Sequence, residues 1–207
     1  MDATRVDQGR YLTESEANAL LTLCGNRAEA DRAAGRQQGI REQIVVELAL
    51  HTGARVCELA WRLTVGDVDV ARKGMETLRV WTAKQRAAKQ RTLPLKGRVL
   101  DVVRAYLADK AAWGEPMGLD SPLVCSKRGE GLTKRGWQAT WLRAIERYRI
   151  GRKLSIHDAR HTVGVRLARR GNLVMAQRVL GHADIQTTAR YYATATIEEL
   201  GDAMARP

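Results

Sequence analysis

The chain is organised around two stretches, SIHDARH at residues 155–161 and VLGHADIQTTARYY at residues 179–192. In the first, His157 and Arg160 are three positions apart, so on a helix both side chains lie on one face. The second supplies another histidine and Tyr191. Arginine binds phosphate oxygens bidentately, histidine transfers protons near neutral pH, and a tyrosine hydroxyl can attack phosphorus. No carboxylate cluster with metal-ligand spacing accompanies these residues, so they suit a phosphodiester better than a metal ion.

The two stretches resemble the H-x-x-R-H box and the L-G-H…T-T-x-x-Y box of the tyrosine recombinases, which include the phage integrases and the Xer-like enzymes. An earlier stretch, TGARVCEL at residues 52–59, resembles the T-G-x-R-x-x-E-L box of the same family. The resemblance covers nearly the whole chain from residue 12 onward. It implies a mainly α-helical domain with a small antiparallel β-sheet, an α+β fold.

The resemblance also implies a catalytic set. Its members are Arg55, Lys84, His157, Arg160, His182 and Tyr191. Tyr191 is expected to attack a DNA phosphate in line, which gives a 3′-phosphotyrosyl bond and a free 5′-hydroxyl. Arg55 and Arg160 are expected to hold the non-bridging oxygens. The exchange conserves the energy of the phosphodiester, so we expect no metal, no ATP and no other cofactor.

The remaining members of the catalytic set are expected to move protons or donate hydrogen bonds. His157 is the expected general acid and base, Lys84 protonates the leaving 5′-oxygen, and His182 donates to a phosphate oxygen. Tyr192 adjoins the nucleophile, and a shift of one residue remains an alternative. His161 points about 100° away from Arg160 on a helix, so we interpret it as a packed structural histidine.

Glu58 and the three cysteines are expected to have structural roles. Glu58 lies one turn after Arg55, which favours an orienting role over proton transfer. The three cysteines, Cys24, Cys57 and Cys125, are odd in number and lack C-x-x-C spacing, which argues against disulfides and zinc and fits buried thiols in a reducing cytoplasm.

The charge of the chain points to a polyanionic partner. Its formal net charge is +12, which favours double-stranded DNA, although a basic surface without a function is the alternative. We expect backbone-phosphate contacts from Arg86, Lys89 and Arg91 in a basic hairpin. Readers of the major groove are expected near the start of a later helix, at Lys134, Arg135 and Gln138.

Local patterns predict the secondary structure. A capping box at Thr13 and Glu16 starts a helix to about residue 23, and a loop follows at residues 25–39. Further helices are predicted at about 40–50, 99–113, 134–148, 157–170 and 173–180, and antiparallel strands within 67–95. In the helix that Thr133 caps, the stripe of Trp137 and Trp141 is predicted to lie in the core.

The resemblance predicts that the chain consists of three segments. Residues 1–11 form a flexible tail, residues 12–195 the catalytic domain, and residues 196–207 a terminal helix that docks on a neighbouring subunit. Most family members carry a DNA-clamping domain ahead of this point, and we expect this protein to lack it, as small members that invert promoter segments do. We also expect no signal peptide and no membrane-spanning segment.

The expected function is site-specific DNA recombination in the cytoplasm of a bacterium, in a plasmid or phage context and at the nucleoid. The expected assembly is a dimer to tetramer on DNA, with or without an accessory protein. Two alternatives remain: relaxation of DNA in the manner of a type IB topoisomerase, and a non-catalytic DNA-binding regulator with the same fold.

Overall fold

The computed structural model describes residues 10–82, 90–170 and 173–181. This part of the chain is mainly helical, with one small antiparallel sheet, so the predicted fold class is confirmed. Its elements are α1 Glu14–Ala33, α2 Gln38–Thr52, α3 Val56–Arg62, β1 Val68–Asp69, β2 Thr77–Trp81, β3 Gln90–Pro94, α4 Arg98–Ala112, α5 Lys134–Arg147, α6 Ile156–Arg169 and α7 Leu173–Leu180. The five helices predicted at 40–50, 99–113, 134–148, 157–170 and 173–180 are observed to within two residues.

Helix α1 confirms its predicted start and corrects its predicted end. The Thr13 hydroxyl accepts a hydrogen bond from the Glu16 backbone nitrogen, and the Glu16 carboxylate accepts one from the Thr13 backbone nitrogen. The predicted loop at residues 25–39 is wrong, because α1 continues to Ala33. Within this helix, Gly25 leaves room for the guanidinium of Arg98, since a Cβ at Gly25 would lie 3.1 Å from Arg98 Nη2.

Helix α2 is the centre of the core. Twelve of its residues are buried, and it packs against α1, α4, α5 and α6. Trp137 and Trp141 of α5 are 1% and 0% exposed, which confirms that this stripe lies in the core. Trp141 Nε1 donates to the carbonyl oxygen of Leu154 at 2.9 Å, so its polar atom is satisfied.

The predicted strands form a sheet in the order β1-β2-β3. Leu78 of β2 pairs with Val68 of β1 and with Leu93 of β3. Leu78, Val80 and Leu93 are buried, so one face of the sheet packs on the helices. The turn between β2 and β3 lies outside the described residues.

The amino-terminal boundary differs from the predicted tail. Tyr11 is 8% exposed, and the guanidinium of Arg169 lies 5.8 Å from the centre of its ring. The backbone nitrogen of Leu12 donates to Thr162 Oγ1 at 2.9 Å. The packed domain therefore includes Tyr11. The rest of the predicted tail up to residue 9, and the predicted terminal helix at 196–207, lie outside the described residues.

The cysteines agree in part with the prediction that all three are buried. Cys24 and Cys125 are buried, whereas Cys57 is only partly buried. Among the described helices, none is both long and apolar enough to cross a lipid bilayer.

Candidate active site

The turn between α2 and α3 sets the position of Arg55. Helix α2 ends at Gly53, which has a φ of +55°, and Arg55 follows in an extended conformation as the N-cap of α3. A Cβ on Gly53 would lie 2.7 Å from Leu180 Cδ2 and 3.1 Å from Val163 Cγ1. Glycine is therefore required both for the left-handed turn and for the close packing of α6 and α7.

Arg160 is anchored on this same turn. Its residue is 3% exposed, and Nη1 donates to the carbonyl oxygen of Gly53 at 2.8 Å. The predicted arginines Arg55 and Arg160 therefore converge although they are 105 positions apart in the sequence. The two guanidinium groups supply the positive charge that a phosphate in this site would need.

His157 lies on the exposed first turn of α6, one turn before Arg160. The carboxylate of Asp158 caps this helix by accepting from the backbone nitrogen of Ser155 at 2.7 Å. Partial desolvation and the positive charge of Arg160 lower the pKa of His157 below its ordinary value. The imidazole is therefore neutral at pH 7 in the absence of DNA, and one of its nitrogens is able to accept a proton.

His161 packs edge-on against His157, with ring centres 4.8 Å apart and planes at 89°. Burial, followed by the charge of His157, lowers the pKa of His161 to about 4. This contact agrees with the predicted role of His161 as a packed histidine. It also restrains the ring of His157 from the side opposite to the helix start.

Glu58 joins the site from α3 and is fully buried. Its Oε1 accepts from Arg55 Nη1 at 3.1 Å, and its Oε2 accepts from the Arg55 backbone nitrogen at 3.1 Å. Burial alone would raise the pKa of Glu58, but the charge of Arg91 and the hydrogen bonds that it receives lower the pKa below its ordinary value. Glu58 is therefore an anion that orients Arg55, which agrees with the orienting role inferred from the sequence.

Arg91, which was predicted to contact a backbone phosphate, is largely buried. Its side chain is 10% exposed, and Nη2 donates to Glu58 Oε2 at 3.0 Å. On β3, Arg91 pairs with buried Val80 and precedes buried Leu93 by two positions. Because alternate residues of a strand share a face, this period was the signal in the sequence that placed Arg91 on the inner face.

The other predicted DNA contacts lie at the start of α5 or outside the described residues. Thr133 caps α5 by accepting from the Gly136 backbone nitrogen at 3.1 Å. Lys134 and Arg135 are exposed in the first turn, and Gln138 is partly buried. The sites predicted at Lys84, Arg86, Lys89, His182, Tyr191 and Tyr192 lie outside the described residues. In the part that is described, no group of three or more histidine, cysteine or acidic side chains could hold a metal ion.

Comparison with known proteins supports this interpretation of the fold. The model of the phage integrase family matches residues 10–198. The tyrosine recombinase XerC of Herpetosiphon aurantiacus is 30% identical over 194 residues, which are 92% of this chain and 58% of that protein. The chain thus spans little more than half the length of this relative.

Two solved structures have the same fold. The crystal structure of XerA recombinase superimposes with a TM-score of 0.73 and 24% identity, over 95% of this chain and 65% of the other. The XerH site-specific recombinase bound to its difH substrate gives a TM-score of 0.71 and 21% identity, over 95% of this chain and 54% of the other. Since the family model matches all but nine residues at each end and the fold agrees, the chain belongs to the phage integrase family.

Proposed function

We propose that this chain is a site-specific DNA recombinase that cleaves and rejoins double-stranded DNA through a 3′-phosphotyrosyl intermediate. The observation that carries the proposal is the convergence of Arg55 and Arg160 on the Gly53 turn, with His157 one turn from Arg160. The related XerC protein is named a tyrosine recombinase, and the XerH structure holds a recombination substrate.

In the proposed reaction, Arg55 and Arg160 bind the two non-bridging oxygens of the scissile phosphate. Their charge offsets the negative charge that develops on these oxygens when the nucleophile attacks. Arg160 is held by Gly53 and Arg55 by Glu58, so neither guanidinium needs to be ordered when DNA binds. His182 is proposed to add a hydrogen bond to the same oxygens.

The proton transfers are assigned to one base and one acid. Tyr191 is the proposed nucleophile, and its ordinary pKa of about 10 means that it needs a base at neutral pH. His157, whose pKa is lowered, is neutral and suited to accept that proton. Lys84 is proposed to protonate the leaving 5′-oxygen. No metal or nucleotide cofactor takes part in this scheme.

DNA binding and assembly complete the proposal. Lys134, Arg135 and Gln138 read bases in the major groove, and Arg86 and Lys89 contact backbone phosphates. The working complex is a homo-oligomer of two to four copies on DNA, with residues 196–207 docking on a neighbour and with or without an accessory protein. Its place of action is the bacterial cytoplasm, on plasmid or phage DNA.

A covalent-trapping experiment tests this function. The protein is mixed with nicked duplexes from its own genomic neighbourhood, with a chelator and no added metal, and then denatured and examined by gel electrophoresis. We expect a protein–DNA adduct that persists in Tyr192→Phe and disappears in Tyr191→Phe. DNA binding without any adduct would contradict the proposal and favour a regulator. Relaxation of a supercoiled plasmid that lacks the target site would favour the topoisomerase-like alternative.

A further inference from the structure

Arg91 is buried beside the candidate active site, and the proposed reaction gives it no role. Its guanidinium lies between Glu58 and the end of α7, since a Cβ on Gly181 would be 3.1 Å from Arg91 Nη1. With only 10% of its side chain exposed, it cannot swing out to a DNA backbone without repacking this junction. In this position Arg91 does not present its guanidinium to a phosphate at the protein surface.

Two arginines pair with the carboxylate of Glu58 in the described part of the chain. Its Oε1 accepts from Arg55 Nη1, and its Oε2 accepts from Arg91 Nη2. Within the described residues, Nε and Nη1 of Arg91 are buried and have no hydrogen-bond partner. A buried cation that is only partly satisfied costs more free energy than an apolar side chain of similar size. This arrangement indicates a task for the charge of Arg91 other than stabilising the fold.

We propose that Arg91 is a positioning residue that acts on Arg55 through Glu58. Arg91 occupies Oε2 of Glu58, so that the carboxylate holds the guanidinium of Arg55 through Oε1 alone. The remaining nitrogens of Arg55, whose side chain is 25% exposed, are thereby kept available for a phosphate. Without Arg91, Oε2 keeps the hydrogen bond from the Arg55 backbone nitrogen but loses its guanidinium partner. The guanidinium of Arg55 can then approach Oε2 as well as Oε1, and the favoured geometry becomes a bidentate pair turned away from DNA. This inference rests on the proposed function of Arg55.

The first test measures cleavage and binding separately in Arg91→Gln and Arg91→Lys. For Arg91→Gln we expect adduct formation at saturating DNA to slow by about 100-fold, because small displacements of a binding group have effects of this size. We expect the Kd for DNA to change by no more than about threefold and its salt dependence to be unchanged. Arg91→Lys keeps one charge on Glu58 and should recover part of the rate.

Arg104→Gln is the matched control. Arg104 Nη2 donates to Glu76 Oε1 at 2.8 Å, so this substitution removes another arginine–glutamate pair, whose arginine is more exposed than Arg91. We expect no change in its cleavage rate. If Arg91→Gln instead weakened binding and lowered the salt dependence while the rate at saturating DNA stayed normal, Arg91 would be a phosphate contact and the inference would be wrong.

The second test asks whether the effect passes through Glu58. In a Glu58→Gln background, a further Arg91→Gln substitution should change the rate by less than about threefold, because contacting residues in one network are not additive. Equal effects of Arg91→Gln in both backgrounds would overturn the inference. Thermal unfolding of each variant identifies losses of activity that come from unfolding.

The third test does not depend on cleavage. Phenylglyoxal labels accessible arginines, and mass spectrometry reports the rate at each one. We expect slower labelling of Arg55 in Arg91→Gln than in the wild type and in Arg104→Gln, since Glu58 then holds Arg55 with both oxygens. Unchanged labelling of Arg55 would overturn the inference even if the protein forms no adduct. Absence of an adduct in the wild type would instead contradict only the proposed recombinase function.

Discussion

Arg160 Nη1 donates to the carbonyl oxygen of Gly53 at 2.8 Å, and this bond joins α6 to the turn from which α3 begins. Gly53 in turn packs against Leu180 at the end of α7. One left-handed residue therefore connects the helix of His157 and Arg160, the N-cap at Arg55, and the helix that precedes His182. The relative positions of Arg55 and Arg160 depend on this turn.

Removal of the Arg160 guanidinium should abolish most of the cleavage. For Arg160→Gln we expect adduct formation to fall by about 100- to 1000-fold, the usual effect of removing one donor to a developing anion. Single-turnover cleavage of a nicked duplex at saturating DNA measures it.

Arg166→Gln is the matched control for Arg160→Gln. Arg166 also lies on α6 and also donates to a backbone carbonyl of α2, with Nη2 2.9 Å from the oxygen of Leu50. We expect it to lower stability but not the cleavage rate of the folded protein. Equal losses of rate in both variants would show that Arg160 acts only by holding α6 on α2.

Gly53→Ala should destabilise the protein through two separable effects. Its φ of +55° and the 2.7 Å approach of Leu180 Cδ2 would both penalise a Cβ. We expect a loss of about 2–4 kcal/mol in the free energy of unfolding, measured by urea denaturation. Gly35 has a φ of +65° but no atom within 4 Å of a Cβ, so Gly35→Ala should cost only about 1–2 kcal/mol. Equal costs would exclude the steric contribution.

The pair of histidines on α6 should make stability depend on pH. Burial and His157 lower the pKa of His161 from 6.5 to about 4, so the unfolded chain binds more protons than the native state between these values. The contribution of His161 is therefore complete above pH 6.5 and is lost as the pH falls towards 4. We expect His161→Gln to reduce the loss of stability across this window by roughly 1–2 kcal/mol, allowing for solvent screening. Urea unfolding at several pH values measures it, and parallel curves for both proteins would contradict the assignment.

The start of α5 should determine sequence preference. Arg135→Ala is expected to change the preferred bases in a binding-site selection, since Arg135 is exposed in the first turn. Arg147 ends the same helix, about 18 Å away along its axis. Arg147→Ala should leave the preferred sequence unchanged, so identical selected sites for both variants would contradict the prediction for Arg135.

Local patterns in the sequence predicted most of the elements, and the resemblance of three sequence boxes to those of a known family supplied the candidate catalytic residues. The capping box at Thr13, the glycine stop at Gly53 and the alternation around Leu93 each report on neighbours within one turn or two strand positions, so a single sequence reveals them. The spacing of His157 and Arg160 likewise fixes their common face before any packing is known.

Contacts between residues far apart in the sequence decided the end of α1 and the position of Arg91. The sequence predicted too early an end for α1 because glycine usually weakens a helix. Here Gly25 instead leaves room for the side chain of Arg98, 73 positions later in the sequence. The basic composition around Arg91 suggested a surface contact, whereas the sheet places Arg91 against Glu58, 33 positions earlier. The sequence by itself determined which helices and strands form and which side chains have the chemistry for a phosphodiester. Only the tertiary structure decided that Arg55 and Arg160 meet at Gly53 and that one carboxylate serves two arginines, because those contacts depend on how buried faces pack together and not on the order of neighbouring residues.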